Sequence, residues 1–232
     1  MSRALFVTGT GTDIGKTYVT GLLVKKLADA GKRAAYYKAA MSGNERRADG
    51  SLIPGDACFV KQMSGITQPV EEMCPYVYEH AYSPHLASRI EGNPVEMKQV
   101  KAGYRKVCQE YEFITVEGSG GILCPICFDE ARIQLEDVVK ELKLPCILIA
   151  DAGLGTINSV VLTAEYMKAH QLPLKGIIYN HYHAGDVMED DNIFMCEQMT
   201  GLPTLAKVAD GAEELEIEED VLFALYDEAE EE

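Results

Sequence analysis

Ten residues decide most of what this chain can become: Thr8-Gly9-Thr10-Gly11-Thr12-Asp13-Ile14-Gly15-Lys16-Thr17. They follow a short apolar run, Ala4–Thr8, and precede a stretch in which Val19, Leu22, Leu23 and Leu27 recur at helical spacing. A strand, a glycine-rich turn ending in Gly-Lys-Thr and a helix is the context of a phosphate-binding loop. Glycines let successive backbone N–H groups turn inward around phosphate oxygens, and the helix start adds positive potential. In such a loop Lys16 reaches the β and γ phosphates of ATP, and the Thr17 hydroxyl can ligate magnesium. The spacing departs from the strict pattern in one respect. The position six residues before the lysine is Thr10, and Gly9 stands one place further back.

A loop of this kind implies a parallel sheet, and the rest of the chain agrees. Short β-rich apolar runs at Ala4–Thr8, Ala34–Lys38, Phe113–Glu117, Cys146–Asp151, Gly176–Asn180 and Thr204–Lys207 alternate with helical periods beginning near Lys16, Pro94, Leu135, Asn158 and Asp190. This is the pattern of an α/β, three-layer P-loop NTPase fold, a mostly parallel sheet with helices on both faces. The 232 residues, 47% of them hydrophobic, suffice for a single domain over 1–232. The stretch from Met41 to Pro94 reads as a long irregular connection, of the sort that is usually functional.

The net charge of −16 is unevenly spread. Residues 210–232 carry 12 acids and no base, which leaves 25 of the 37 acids against 21 bases, or −4, over the first 209 residues. The body therefore has no basic stripe, and nucleic acid is disfavoured as a partner. The acidic segment reads as a solvated helix with apolar contacts at Leu215, Val221, Leu222 and Leu225. No apolar run is long enough to span a bilayer, and Met1-Ser2-Arg3 leads straight into a strand without a signal-peptide pattern, so the expected setting is the cytoplasm, without membrane association. Seven scattered cysteines fit reduced thiols there.

Magnesium takes oxygen ligands, which directs attention to carboxylates at strand ends. Glu117 closes the apolar strand Phe113–Glu117 and precedes Gly118-Ser119-Gly120-Gly121, where backbone can approach a ligand closely. Asp56, in Pro54-Gly55-Asp56-Ala57, is weaker alone, because Gly-Asp in a loop usually serves as a turn or helix cap. Lys38 ends the second strand just ahead of Ser42-Gly43, at the same sheet edge as Lys16. Two ammonium groups there suit a transition state that builds phosphate and carboxylate charge together. Other residues have plainer readings. Cys124-Pro125-Ile126-Cys127 lacks the second pair or histidines of a metal site and reads as loop packing. His181 and His183 read as solvated or hydrogen-bonding groups, and Tyr36-Tyr37 and Met195–Met199 as core and surface filler.

These motifs, in this order, resemble the dethiobiotin synthetase family, whose phosphate loop has the same extra residue. The matches are Lys38-Ala39-Ala40-Met41-Ser42-Gly43, Pro75-Tyr76, Ser83-Pro84-His85, Val116–Gly121, Leu154-Gly155-Thr156-Ile157-Asn158 and Asn180, and they extend over about residues 4–207. The resemblance implies ATP- and magnesium-dependent closure of a ureido ring on the diamine 7,8-diaminopelargonate with CO2. It implies nucleotide contacts from Asp13, Ile14, Gly15, Lys16, Thr17, Tyr18, Glu117, Gly118 and Gly120, with Asn180 at the adenine edge. It further implies that Lys16, Lys38 and Ser42 hold the reacting groups, that Thr12 lines the diamine site, and that Thr17, Asp56 and Glu117 ligate magnesium. Leu154, Gly155, Thr156 and Asn158 start a helix that in the family binds the substrate carboxylate of the neighbouring subunit, implying a homodimer. Ala39 and Ala81 stand where the family usually has Pro, and Ala206-Lys207-Val208-Ala209-Asp210 where it commonly has Gly-x-Ile-Pro, so the adenine-side contacts of that loop do not carry over.

Alternative readings remain within the same fold. A partitioning ATPase would carry a second lysine five residues before Lys16, where this chain has Gly11. A non-catalytic regulatory domain tends to lose the Gly-Lys-Thr that is kept here. A related ligase acting on another amine is the nearest alternative, since pocket shape cannot be read from sequence.

Overall fold

The protein is described over residues 2–229 of a computed structural model. Met1 of the leading tripeptide and Glu230, Glu231 and Glu232 of the acidic segment lie outside the described residues. The strands, in chain order, are β1 (Arg3–Gly9), β2 (Ala34–Lys38), β3 (Glu45–Arg46), β4 (Leu52–Ile53), β5 (Phe113–Glu117), β6 (Pro125–Phe128), β7 (Arg132–Gln134), β8 (Cys146–Asp151), β9 (Leu174–Asn180), β10 (Thr204–Lys207) and β11 (Asp227–Glu228). The helices are α1 (Lys16–Asp29), α2 (Gly55–Ser64), α3 (Pro84–Glu91), α4 (Met97–Glu110), α5 (Leu135–Glu141), α6 (Thr156–Ala169), α7 (Val187–Thr200) and α8 (Glu219–Ala224).

The main sheet runs β10-β9-β8-β1-β5-β2, all parallel, with β11 antiparallel against the start of β1. Its strands are apolar almost throughout because both faces are covered. Alternation along β1 makes the layers visible. Ala4 and Phe6 point into a core shared with α4 and α5, while Leu5 and Val7 point into one shared with α1 and α2. A third cluster joins Leu148 and Ile177 to Val160 of α6 and Ile193 of α7. Each fully buried aliphatic chain, such as Leu22 or Leu23 of α1, contributes about 1.5–3 kcal/mol from burial. The chain leaves β1 toward β2 on one side and returns through β8 on the other, so the carboxyl end of β1 is the switch point where such sheets bind ligands. The glycine-rich loop sits there.

The parallel α/β reading and the six main strands match the sequence analysis, with β1 and β9 slightly longer than expected. Three expectations need correction. The stretch 41–94 is not irregular: it holds α2, α3, the β3–β4 pair and a single 3-10 turn at Val70–Glu72. Gly55 and Gly65 bound α2, and Pro84 at the first turn and Gly92 bound α3, so each helix is too short for a strong period. The helices expected near Pro94, Asn158 and Asp190 start at Met97, Thr156 and Val187. For α7 the cause is explicit, since the Asp186 side chain accepts from the backbone N–H groups of Met188 and Glu189 and caps the helix earlier.

The acidic segment is also not simply a solvated helix. Among its described residues only α8 is helical, Val221 is exposed, and Leu215, Ile217, Leu222, Leu225 and Tyr226 are buried against the α1 face. The Tyr226 hydroxyl is 2.8 Å from Thr115 Oγ1 beneath β5. Over its described residues the segment thus seals one core with its apolar side chains and leaves its carboxylates exposed.

Candidate active site

Gly15 places the end of the loop. It takes φ 81°, and a Cβ there would lie 2.0 Å from Asn180 Nδ2, so only glycine lets α1 start against the end of β9. Asn180 in turn donates from Nδ2 to the Ile14 carbonyl at 3.1 Å. A residue expected at the adenine edge therefore also ties the phosphate loop to the sheet. Lys16, nearly buried, donates from Nζ to the Gly11 carbonyl at 2.6 Å. Burial lowers its pKa, with Glu117 opposing and Lys38 assisting.

Beside the loop, three side chains meet on the Glu117 carboxylate. Parallel register sets Lys38 of β2 opposite Glu117 of β5. Lys38 Nζ donates to Glu117 Oε1 at 2.6 Å and to Asp56 Oδ2 at 2.7 Å, and Thr17 Oγ1 donates to the same Glu117 oxygen at 2.8 Å. The third is Tyr36, whose hydroxyl donates to Glu117 Oε2 at 3.0 Å. Burial alone would lower the Lys38 pKa, but Glu117 and Asp56 outweigh it and hold the ammonium above its ordinary value. Burial, reinforced by Glu117, pushes the Tyr36 phenol well above its usual range, so it stays a donor.

Lys16, Thr17, Lys38, Asp56 and Glu117 open on a cleft of about 470 Å³ that also carries Thr12, Asp13, Gly15, Tyr18, Ser42, Gly120 and His181. The hard oxygen donors of Thr17, Asp56 and Glu117 suit a divalent cation that keeps further oxygen ligands from phosphate. Among the described residues no cluster of three or more His, Cys, Asp or Glu forms a self-sufficient metal cage.

Not every expected site residue reaches the cleft. Ile14 packs its side chain toward the core and offers only backbone, and Gly118 follows β5 with its N–H donating to the Val7 carbonyl, where a Cβ would come within 3.0 Å of Phe6. Neither lines the cleft. Leu154, Gly155, Thr156 and Asn158 lie beyond β8 at the start of α6, away from the cleft lining of their own chain. Leu154 is 90% exposed there, and the buried Thr156 Oγ1 has no hydrogen-bond partner.

Sequence reasoning passed over Tyr36, while His181 is the hydrogen-bonding group it was read as. Tyr36 reads as core, and it is buried, but the period of two that aims Lys38 at Glu117 aims Tyr36 the same way. His181 stands at φ 54° with its Nδ1 2.6 Å from Asp210 Oδ1, at the rim of the cleft. The loop lacking Gly-x-Ile-Pro is anchored by other means. Val208 N–H donates to the Tyr179 carbonyl, its carbonyl accepts from Tyr182 N–H, and the Tyr18 hydroxyl donates to the Ala212 carbonyl at 2.5 Å. Of the Cys-x-x-Cys pair, Cys127 is buried in the α4 core and Cys124 Sγ lies 3.7 Å from Ser83 Oγ; both are free.

Comparison with known proteins adds a consistent picture. Residues 3–213 match a family model described as an AAA domain. Over 228 residues, 98% of this chain and all of the relative, the sequence is 47% identical to the ATP-dependent dethiobiotin synthetase BioD of Brachyspira hyodysenteriae. It is 43% identical to the protein of the same name from Clostridium perfringens, over 90% of this chain and 91% of that one. Among solved structures, the MinC:MinD cell division complex of Aquifex aeolicus aligns with TM-score 0.57 at 10% identity, covering 90% of this chain and 82% of the other, a likeness of fold alone.

Proposed function

The chain belongs to the family of ATP-dependent dethiobiotin synthetases, ATP-using enzymes of the ligase class, and we propose that it closes the ureido ring of dethiobiotin on 7,8-diaminopelargonate with CO2. The observation that carries this reading is the meeting of Thr17, Lys38, Asp56 and Glu117 beside the Lys16 loop. One amino group of the diamine adds to CO2 and loses a proton to give a carbamate. The carbamate oxygen attacks the γ phosphorus and releases ADP. The second amine attacks the carbonyl carbon of this mixed anhydride, closing the ring and expelling phosphate.

The residues act by position and charge, as phosphoryl transfer generally requires. Lys16 neutralises the β and γ phosphates, Lys38 and Ser42 hold the carbamate, and Thr12 lines the diamine site. The backbone of residues 13–18 cradles phosphate, with Gly120 at the cleft wall and Asn180 at the adenine. Thr17, Asp56 and Glu117 would hold magnesium, which would supply neutralisation of the phosphate charge. We read the whole chain as one catalytic domain acting in the cytoplasm; among the described residues no helix is long and apolar enough to cross a membrane. Gly11, in place of a second loop lysine, supports a ligase over a partitioning switch.

Phosphate release tests the reading. With ATP, magnesium, diamine and bicarbonate it should be rapid, and omission of the diamine should abolish it. Release that ignores the diamine would sink the substrate assignment and leave the nucleotide site standing.

The exposed α6 start supports a homodimer in which each subunit binds the other's substrate carboxylate. The helix dipole and the N-terminus that no side chain caps favour an anion there. Leu154→Glu would set a carboxylate at that end. We expect the diamine KM to rise by roughly tenfold, about 1.4 kcal/mol, with the ATP KM nearly unchanged. Sedimentation should find the wild type at twice the 25.5 kDa chain mass, and a monomeric wild type would remove the shared site.

A further inference from the structure

We propose that Tyr36 sets the cation preference of the site by holding one oxygen of Glu117 out of reach, so that the carboxylate meets a metal ion through Oε1 alone. This rests on the reading of Glu117 as a metal ligand. Tyr36 lies two residues before Lys38 on β2, opposite Thr115, and its ring crosses one step of the ladder to bring Oη 3.0 Å from Glu117 Oε2. Such diagonal pairs are within reach of an aromatic side chain. Oε1, on the cleft side, receives Thr17 and Lys38. The two oxygens of one carboxylate are thus divided between core and cleft.

The tyrosine is firmly placed. It is fully buried, its backbone N–H donates to Gln68 Oε1 at 2.8 Å, and both neighbours in β2 pair with β5. The Glu117 side chain is itself fully buried, so turning Oε2 toward the cleft would break a hydrogen bond that no solvent is positioned to replace. Calcium takes six to eight oxygens at about 2.3–2.6 Å and readily uses a carboxylate bidentately, whereas magnesium demands a compact octahedron at about 2.0–2.1 Å. A carboxylate locked with one oxygen inward meets the second requirement and resists the first. Tyr36 is a positioning residue, touching neither substrate nor metal.

Calorimetric titration of ATP with excess magnesium or calcium, in the absence of diamine, reads this without turnover. The wild type should bind the magnesium complex at least about tenfold tighter than the calcium complex. Tyr36→Phe, shown to be folded by circular dichroism and melting, should lose most of that preference, its calcium-to-magnesium affinity ratio rising by roughly tenfold. An unchanged ratio in the folded variant overturns the proposal, and so does equal binding of both complexes by the wild type, whether or not the variant folds. Glu117→Gln separates the two layers of inference. Metal dependence that survives in Glu117→Gln removes the ligand reading itself. Its loss there, with an unchanged ratio in Tyr36→Phe, removes only the role of the tyrosine.

Discussion

Lys38→Ala is expected to lower both turnover and stability, the former by about three orders of magnitude and the latter by about 3 kcal/mol. The catalytic estimate follows from removing a preorganised cation in a water-poor site, where a single donor is worth roughly 10²–10³ in kcat. The stability estimate follows from burial. Lys38 is the ammonium between Glu117, whose side chain is fully buried, and Asp56, which is over a third exposed. Breaking a buried pair by removing one partner costs about 3–5 kcal/mol, and here the low end applies, because Glu117 keeps the hydroxyls of Thr17 and Tyr36 and Asp56 keeps solvent. In a chain of this size that corresponds to a fall of about 6–12 °C in Tm. Glu117→Gln in the Lys38→Ala background should recover part of the loss by removing the stranded charge. Additive losses in this double variant would show that the pair is not coupled.

How much of this was legible in advance depends on what each residue's neighbours reveal. Lys38 and Glu117 each end an apolar five-residue strand, so their place at a sheet edge follows from sequence alone. Parallel register then makes them opposite, which no local pattern specifies. Asp56 is different in kind. Gly-Asp reads as a turn, and only the packing of α2 against α1 aims its carboxylate at Lys38. Tyr36 was hidden by its own hydrophobicity, since a ring that fills a core and a hydroxyl that orients a carboxylate have the same sequence signature. The acidic segment misled in the opposite direction. Its composition suggests a solvated surface, while Leu215, Ile217 and Tyr226 are spaced irregularly because the segment lies over α1 without forming one long helix. Helical periodicity is uninformative for a segment of that shape.

Lys16→Met should separate function from stability where Lys38→Ala loses both. The methionine keeps most of the aliphatic stem that fits the loop and removes the charge. Catalysis should fall by roughly 10³-fold or more in kcat/KM, because the phosphates lose their direct cation and the loop its point of contact with the β and γ oxygens. Stability should stay level or rise. Lys16 is nearly buried, its resolved hydrogen bond goes to the neutral Gly11 carbonyl, and burial lowers its pKa below that of a free lysine. A lysine whose folded pKa lies below its unfolded value makes the protonated folded state less favourable at any pH below both, so removing the charge relieves a cost at neutral pH. Like-charge repulsion from Lys38 is relieved at the same time. Thermal melting of the two variants side by side is the measurement, with phosphate release alongside. A Lys16→Met protein that melts as far below the wild type as Lys38→Ala does would make Lys16 a structural strut of the loop. One that retains normal turnover would remove the loop from the chemistry altogether.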